Sequence, residues 1–111
     1  MMEKSKKYLS DILMAIELIE EFTFGINDFN IYEKDRKTQS AVERQLAIIG
    51  EALNQLRKIE PNITIENDAQ IIGFRNRLIH AYDSLDNSII WAIINSHIKN
   101  LKIEIEHLSK Q

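Results

Sequence analysis

The sequence has no cysteine, one proline and three glycines among its 111 residues. Without cysteine, a disulfide framework and a thiolate metal site are both excluded, and three histidines are the only nitrogen ligands of the usual kind. The lack of cysteine fits a cytosolic protein best. The length predicts a single domain over residues 1–111, large enough to bury one compact core.

Long apolar runs and an excess of positive charge are also missing. The longest run, Ile89 to Ile94, is far shorter than the roughly 20 residues that span a bilayer, and acidic residues interrupt the N-terminal lysines. We therefore expect no membrane segment and no signal peptide, and a cytoplasmic protein. The formal net charge of -3 argues against a surface coated in positive charge for duplex binding, so a nucleic-acid site has to be local.

Four stretches have the periodicity of amphipathic helices, and the few helix breakers fall between them. In the first stretch, apolar residues recur at spacings of three and four: Tyr8, Ile12, Ile16, Ile19 and Phe22. Gly25 is expected to end this helix, since glycine tolerates the left-handed conformation of a C-cap. A short element is expected around residues 28–33.

The second stretch has the strictest pattern, with spacings of 4, 3, 4 and 3 between Val42, Leu46, Ile49, Leu53 and Leu56. Residues 40–43 fit a capping box that starts at Ser40, although a start as early as Asp35 is an alternative. The helix has to stop before Pro61, because the residue before a proline is pushed out of the α region.

Two further helices are predicted in the second half of the chain. Asn67 fits the N-cap of a third helix that runs to Tyr82, and Asp86 fits the N-cap of a fourth that continues past Ile105. Trp91 of the fourth helix is assigned to packing. No segment alternates as a half-buried strand does. The predicted fold is all-α, an antiparallel bundle of four to five helices.

Chemical groups concentrate in the third helix. Residues 73–82 hold two guanidinium groups, an amide, an imidazole and a phenol. Asn76 and His80 are four residues apart on one helix face, where the amide can orient the imidazole ring. Arg75 and Tyr82 lie about 10 Å apart along a helix axis, a distance that a nucleotide spans.

Arg75 and His80 are five residues apart, which places them about 140° from each other around a regular helix. Three arrangements would bring them together. The long arginine side chain bends round the helix, the helix is irregular near His80, or the two groups meet across a two-fold dimer axis. The sequence does not choose among these arrangements.

Phosphodiester cleavage is the chemistry that such a set suits. An imidazole can exchange a proton with a ribose 2′-hydroxyl or a leaving oxygen near neutral pH, and a guanidinium stabilises negative charge on phosphate oxygens. No compact cluster of metal ligands is visible, so a mechanism without metal or cofactor is favoured. The alternative is that Arg75 and His80 form surface ion pairs or cap a helix, that Tyr82 is a core aromatic, and that His97 and His107 have structural roles.

These residues carry a resemblance to a known family. The run from Arg75 to Tyr82 matches the RX4HXY motif of HepT-like proteins, which are HEPN-domain toxins encoded beside a minimal nucleotidyltransferase antitoxin called MntA. The surrounding sequence is also similar to that family at residues 8–13, 48–52 and 91–94. The likeness covers nearly the whole chain.

The resemblance implies the toxin of a type VII toxin-antitoxin system, a homodimer whose two motif copies form one composite cleft. Arg75 and His80 take the place of the family's catalytic pair, with Asn76 and Arg77 as supporting residues. The implied activity is metal-independent endonucleolytic cleavage of RNA through the 2′-hydroxyl, leaving a 2′,3′-cyclic phosphate. The antitoxin would transfer AMP from ATP onto Tyr82 and block the site. Glu51 and Arg44 are less specific candidates for auxiliary roles.

Two other classes of function stay open on the sequence alone. The chain could be a noncatalytic subunit that binds nucleotide or substrate for a minimal nucleotidyltransferase. It could also be a helical adaptor that dimerises and in which the motif is structural. Cleavage of RNA distinguishes the ribonuclease toxin from both alternatives.

Overall fold

Six helical segments make up the fold in the computed structural model, which describes residues 2–80 and 86–111 and, at His80, the backbone alone. They are α1 (Glu3–Phe22), α2 (Phe29–Lys34), α3 (Arg36–Ile59), α4 (Asp68–His80), α5 (Asn87–Asn95) and α6 (His97–Ser109). No strand occurs in these two ranges. The predicted all-α helical bundle is therefore confirmed.

The two longest helices, α1 and α3, pack against each other at the centre of the bundle. α4 covers a second side of α3, and α6 packs on α1. The Ser5 hydroxyl donates to Glu60 at 2.8 Å, which ties the first turn of α1 to the residue after α3. All five residues of the strict α3 pattern are buried: Val42, Leu46, Ile49, Leu53 and Leu56.

The start of α3 decides between the two predicted positions. Asp35 is the N-cap, and its carboxylate accepts from the Thr38 amide at 3.0 Å and from the Thr38 hydroxyl at 2.6 Å. The capping box at Ser40 is wrong, because residues 36–40 already belong to the helix. The Asp35 carboxylate accepts from a backbone amide that would otherwise be unpaired in the first turn. The helix therefore begins earlier in the chain than the apolar pattern indicates.

The fourth predicted helix is interrupted. It begins after Asp86, whose side chain caps it as predicted, but it divides into α5 and α6 at Ser96. The Ser96 hydroxyl donates to the Ala92 carbonyl at 2.6 Å, and the Asn95 amide donates to the Trp91 carbonyl at 2.8 Å. Because polar side chains here bond to the backbone of the preceding turn, they compete with the helical hydrogen bonds and break the helix.

The remaining helix ends agree with their sequence signals in most respects. α3 ends at Ile59, before Pro61, and α4 begins directly after Asn67. Gly25 has a positive φ of 83°, yet it lies two residues beyond the C-cap of α1, which is Thr23. The glycine therefore shapes the turn that follows the helix rather than capping it.

Tyr32 of α2 fills a position between α3 and α5. It is fully buried, and its ring centroid is 5.2 Å from that of Trp91, which confirms the packing role of the tryptophan. Burial raises the pKa of the Tyr32 hydroxyl, and the nearby Glu43 carboxylate adds to the shift. This contact of Tyr32 with Trp91 holds the short α2 against α5.

A bilayer-spanning helix needs about 20 predominantly apolar residues. Within residues 2–80 and 86–111, no helix is both long and apolar enough to cross a membrane.

Candidate active site

Arg75 lies on the side of α4 that faces the core. Its neighbours one turn before it and one residue before it, Ile71 and Phe74, are buried, and Leu78 packs partly against the core. The Arg75 side chain is only 14% exposed. A charged side chain in such an apolar stripe usually has a partner for its charge.

Gly50 of α3 makes room for this arginine. A Cβ atom at position 50 would overlap the Arg75 Cβ, and it would lie 2.8 Å from the Arg75 Cγ and 3.3 Å from the Ile71 carbonyl oxygen. The backbone of α3 therefore runs directly beneath the stem of the Arg75 side chain. Only glycine permits this approach of the two helices without a shift.

Glu51, the next residue of α3, supplies the partner. Its Oε2 lies 3.1 Å from Arg75 Nη2, and its Oε1 accepts a hydrogen bond from the Gln55 amide at 2.9 Å. The two carboxylate oxygens are thus held by two different side chains. Gln55 is one helical turn after Glu51, so α3 fixes the carboxylate and the carboxylate fixes the guanidinium.

The α3 and α4 helices meet along an antiparallel line. Near the end of α3, Arg57 Nε lies 3.5 Å from Oδ2 of Asp68, the first residue of α4. Gly50, which is earlier in α3, contacts Arg75, which is later in α4. Of the Arg75 nitrogens, Nε is buried and has no hydrogen-bond partner within the described ranges. The Arg75 guanidinium is therefore held in those ranges through Nη2 and not through Nε.

A groove between α1 and α3 opens beside Glu51. It has a volume of about 550 Å³ and is lined on the α3 side by Arg44, Ile48, Glu51 and Gln55. On the α1 side, Lys7 pairs with Asp11 at 2.9 Å, and this hydrogen bond raises the pKa of Lys7. Glu51 and Arg44, the two auxiliary candidates of the sequence, thus share one groove.

Asn76 and Arg77 lie elsewhere on α4. Both are exposed. Arg77 lines a different groove, of about 440 Å³, whose other walls include Phe74, Ile93 and His97. The structure therefore does not bring Arg77 to the Glu51 side of the helix, where Arg75 is bound.

His80 is the last residue of α4, and the helix is α-helical up to this point. An irregular helix near His80 was one of the three arrangements considered from the sequence; α4 shows no irregularity before His80, and residues 81–85 lie outside the described ranges. The expected contact of Asn76 with the His80 ring lies outside what the structure describes. Tyr82 lies outside the described residues as well.

Two residues of the arrangement, Gly50 and Gln55, were not expected to have a part in it. Gly50 did carry a signal, because a glycine inside a strictly patterned helix costs about 1 kcal/mol relative to alanine and suggests a close approach. Gln55 had only its i, i+4 spacing to Glu51, which does not show that Glu51 pairs with an arginine of another helix. Across residues 2–80 and 86–111, no group of three or more His, Asp or Glu side chains is arranged to hold a metal ion.

The helix contact at Gly50 gives a prediction with an internal control. The G50A variant should lower the free energy of unfolding by about 1–3 kcal/mol, because the added methyl group meets the Arg75 stem and forces the helices apart. The G73A variant should raise it by about 0.5–1 kcal/mol, since a Cβ there meets nothing within 4 Å. Urea unfolding followed by circular dichroism measures both. Equal effects of the two substitutions would contradict the close approach.

The sequence was compared with protein families and with individual proteins. A family model described as ribonuclease HepT-like matches residues 12–108. A protein of Thermococcus cleftensis named "Probable ribonuclease HepT" is 42% identical over 114 residues, covering 99% of this chain and 100% of that protein. A Methanocaldococcus jannaschii protein with "RNase" in its name is 35% identical over 105 residues, covering 91% of this chain and 93% of the relative.

A third relative, from Caldanaerobacter subterraneus and also carrying "RNase" in its name, is 32% identical over 108 residues and covers 96% of each chain. No solved structure matches the sequence. The family match covers most of the chain, and the relatives align with it over nearly their whole length. The chain therefore belongs to the ribonuclease HepT-like family.

Proposed function

We propose that the protein is a metal-independent endoribonuclease in which Arg75 and His80 act on the scissile phosphate. The observation that carries this proposal is the placement of Arg75. This chain belongs to the ribonuclease HepT-like family, and its motif arginine, Arg75, lies in an apolar helix stripe. There the Arg75 guanidinium forms an ion pair with Glu51. A cation that served only solubility would lie on an exposed helix face instead.

In the proposed reaction, the ribose 2′-hydroxyl attacks the adjacent phosphorus and the 5′-oxygen of the next nucleotide leaves. The His80 imidazole takes the proton of the attacking hydroxyl and passes it to the leaving 5′-oxygen, proton transfers that an imidazole can perform near neutral pH. Arg75 stabilises the negative charge that builds on the nonbridging oxygens. The products are a 2′,3′-cyclic phosphate and a 5′-hydroxyl.

We propose that the active unit is a homodimer. With α4 helical up to His80 and the Arg75 side chain bound to α3, the His80 position lies about 140° round the helix axis from Arg75. A second copy related by a two-fold axis can bring its own motif to the same cleft. Ile79 precedes the end of the motif in the sequence and Ile89 follows it, and both side chains are exposed. They give the second copy apolar surface to cover.

Asn76 and Arg77 support this cleft from the exposed face of α4. In this proposal Asn76 orients His80, which is four residues later on the helix, and Arg77 adds positive charge that attracts RNA. Such a local concentration of charge agrees with a chain whose formal net charge is -3. The RNA is thus bound at one cleft rather than over the whole surface.

The proposal includes a regulator. We propose that the protein acts in the cytoplasm as the toxin of a type VII pair, and that a nucleotidyltransferase antitoxin transfers AMP from ATP onto Tyr82. Tyr82 is two residues from His80 in the sequence. A bulky anionic adduct there repels the substrate phosphate and occupies its place.

The function is tested by cleavage of RNA by the purified protein in the presence of a chelator. R75A and H80A should each lower the rate by at least about 100-fold, because they remove charge stabilisation and proton transfer respectively. H107A is the matched control, since this exposed histidine lies on α6, away from α4, and should cleave at the wild-type rate. Equal rates for all four proteins would contradict the assignment, and RNA binding without cleavage would favour a noncatalytic subunit.

Modification of Tyr82 is tested by coexpression with the proposed nucleotidyltransferase antitoxin. The intact mass of the wild-type protein should increase by one or more AMP groups, and RNA cleavage should fall in proportion to the modified fraction. Y82F should keep its mass under the same conditions. An unchanged wild-type mass, or equal modification of Y82F, would contradict this site.

A further inference from the structure

We propose that Glu51 is a positioning residue, which orients the Arg75 guanidinium for the reaction through the bond from its Oε2 to Arg75 Nη2. The inference rests on the proposed function and adds a residue of α3 to a site that the motif confines to α4. Its basis is the contact geometry of Gly50, Glu51, Gln55 and Arg75.

The stability of the fold gives little reason for this ion pair. The Glu51 side chain is 51% exposed, and pairs with so much contact with water contribute little to folding. An apolar side chain at position 75 would continue the stripe of Ile71 and Phe74 without any charge to neutralise. The pair is therefore better explained by what the guanidinium does than by what it stabilises.

The sequence also accepts a destabilising residue to keep Arg75 in place. Gly50 lies inside the 24-residue helix α3, where a glycine costs about 1 kcal/mol relative to alanine. Its lack of a side chain is what lets the arginine stem lie on α3. The stem and the charged end of Arg75 are thus fixed by two consecutive residues of the same helix.

Gln55 binds the Glu51 carboxylate oxygen that does not contact Arg75. Its amide nitrogen donates to Oε1 at 2.9 Å, which leaves Oε2 directed at Nη2. A guanidinium has five N–H donors, so a contact through Nη2 leaves others for phosphate oxygens. A carboxylate held on both sides limits rotation of the guanidinium, and a catalytic group displaced by about 1 Å can lose about 100-fold in rate.

Glu51→Gln removes the charge and keeps the size of the side chain. We expect its kcat for RNA cleavage to fall about 10- to 100-fold while KM changes less than about twofold, because the substrate still binds but meets a misaligned arginine. Glu21→Gln is the matched control, since Glu21 is an exposed carboxylate at the end of α1. The thermal unfolding midpoints of both variants should equal that of the wild type.

A double-mutant cycle tests whether Glu51 acts through Arg75. The loss caused by Glu51→Gln should disappear in an Arg75→Ala background, because the group that Glu51 positions is then gone. Losses that multiply, or a kcat of Glu51→Gln equal to that of the wild type, would overturn the positioning role. A loss of kcat that follows a lowered unfolding midpoint would also overturn it, since the role would then be structural.

NMR of the arginine side chains gives a readout that does not depend on activity. Rotation of the Arg75 guanidinium should be slow in the wild type and fast in Glu51→Gln, and Glu21→Gln should behave as the wild type. Equal rotation in all three would overturn the inference even if RNA is cleaved. Absence of cleavage by the wild type, with restricted Arg75 rotation, would instead contradict the proposed function and the catalytic use of this contact while leaving the contact itself confirmed.

Discussion

Arg75 places a positive charge on the apolar side of a helix, and the arrangement of α3 and α4 accommodates that charge. The guanidinium needs a carboxylate, which Glu51 provides at 3.1 Å, and its stem needs space, which Gly50 provides by having no side chain. Both residues lie on α3, so the contact of the two helices and the position of the arginine depend on each other. A change at Gly50 should therefore affect packing and site together.

This constraint connects the fold to the proposed chemistry. A small acidic chain has few means of attracting and holding a phosphate group, and a mobile surface arginine would lose conformational entropy each time it binds one. An arginine fixed by the bundle is oriented in advance, so that its charge is in place when the transition state forms. The placement of the arginine thus supports the proposed cleavage better than the presence of the motif alone.

The apolar pattern predicted most of the fold, because burial of a periodic stripe is a property of the local sequence. All five stripe residues of α3 are in the core, and Asp86 caps α5. Ser40 was less informative, since Asp35 satisfies the first-turn amides of α3 one turn earlier. The break at Ser96 was not expected, because a serine within an apolar pattern is compatible with a continuous helix until its hydroxyl bonds to the backbone of the preceding turn.

The candidate site could be predicted only in its chemistry and not in its contacts. The spacing of Arg75 and His80 did not show how the two side chains reach one site. The pairing of Arg75 with Glu51 joins two helices, and the two residues are far apart in the sequence. Gly50 signalled a close approach without showing what approaches it. Such contacts depend on how helices pack, and a single sequence does not fix that packing.

The central claim is that this arginine and the motif histidine cleave RNA through its own 2′-hydroxyl. The most direct measurement uses a short RNA with one cleavage site, and a matched RNA with a single 2′-deoxy substitution at that site, in the presence of a chelator. We expect a 2′,3′-cyclic phosphate and a 5′-hydroxyl from the first RNA and no cleavage of the second. Cleavage of the deoxy-substituted RNA, or products with a 3′-hydroxyl and a 5′-phosphate, would contradict it.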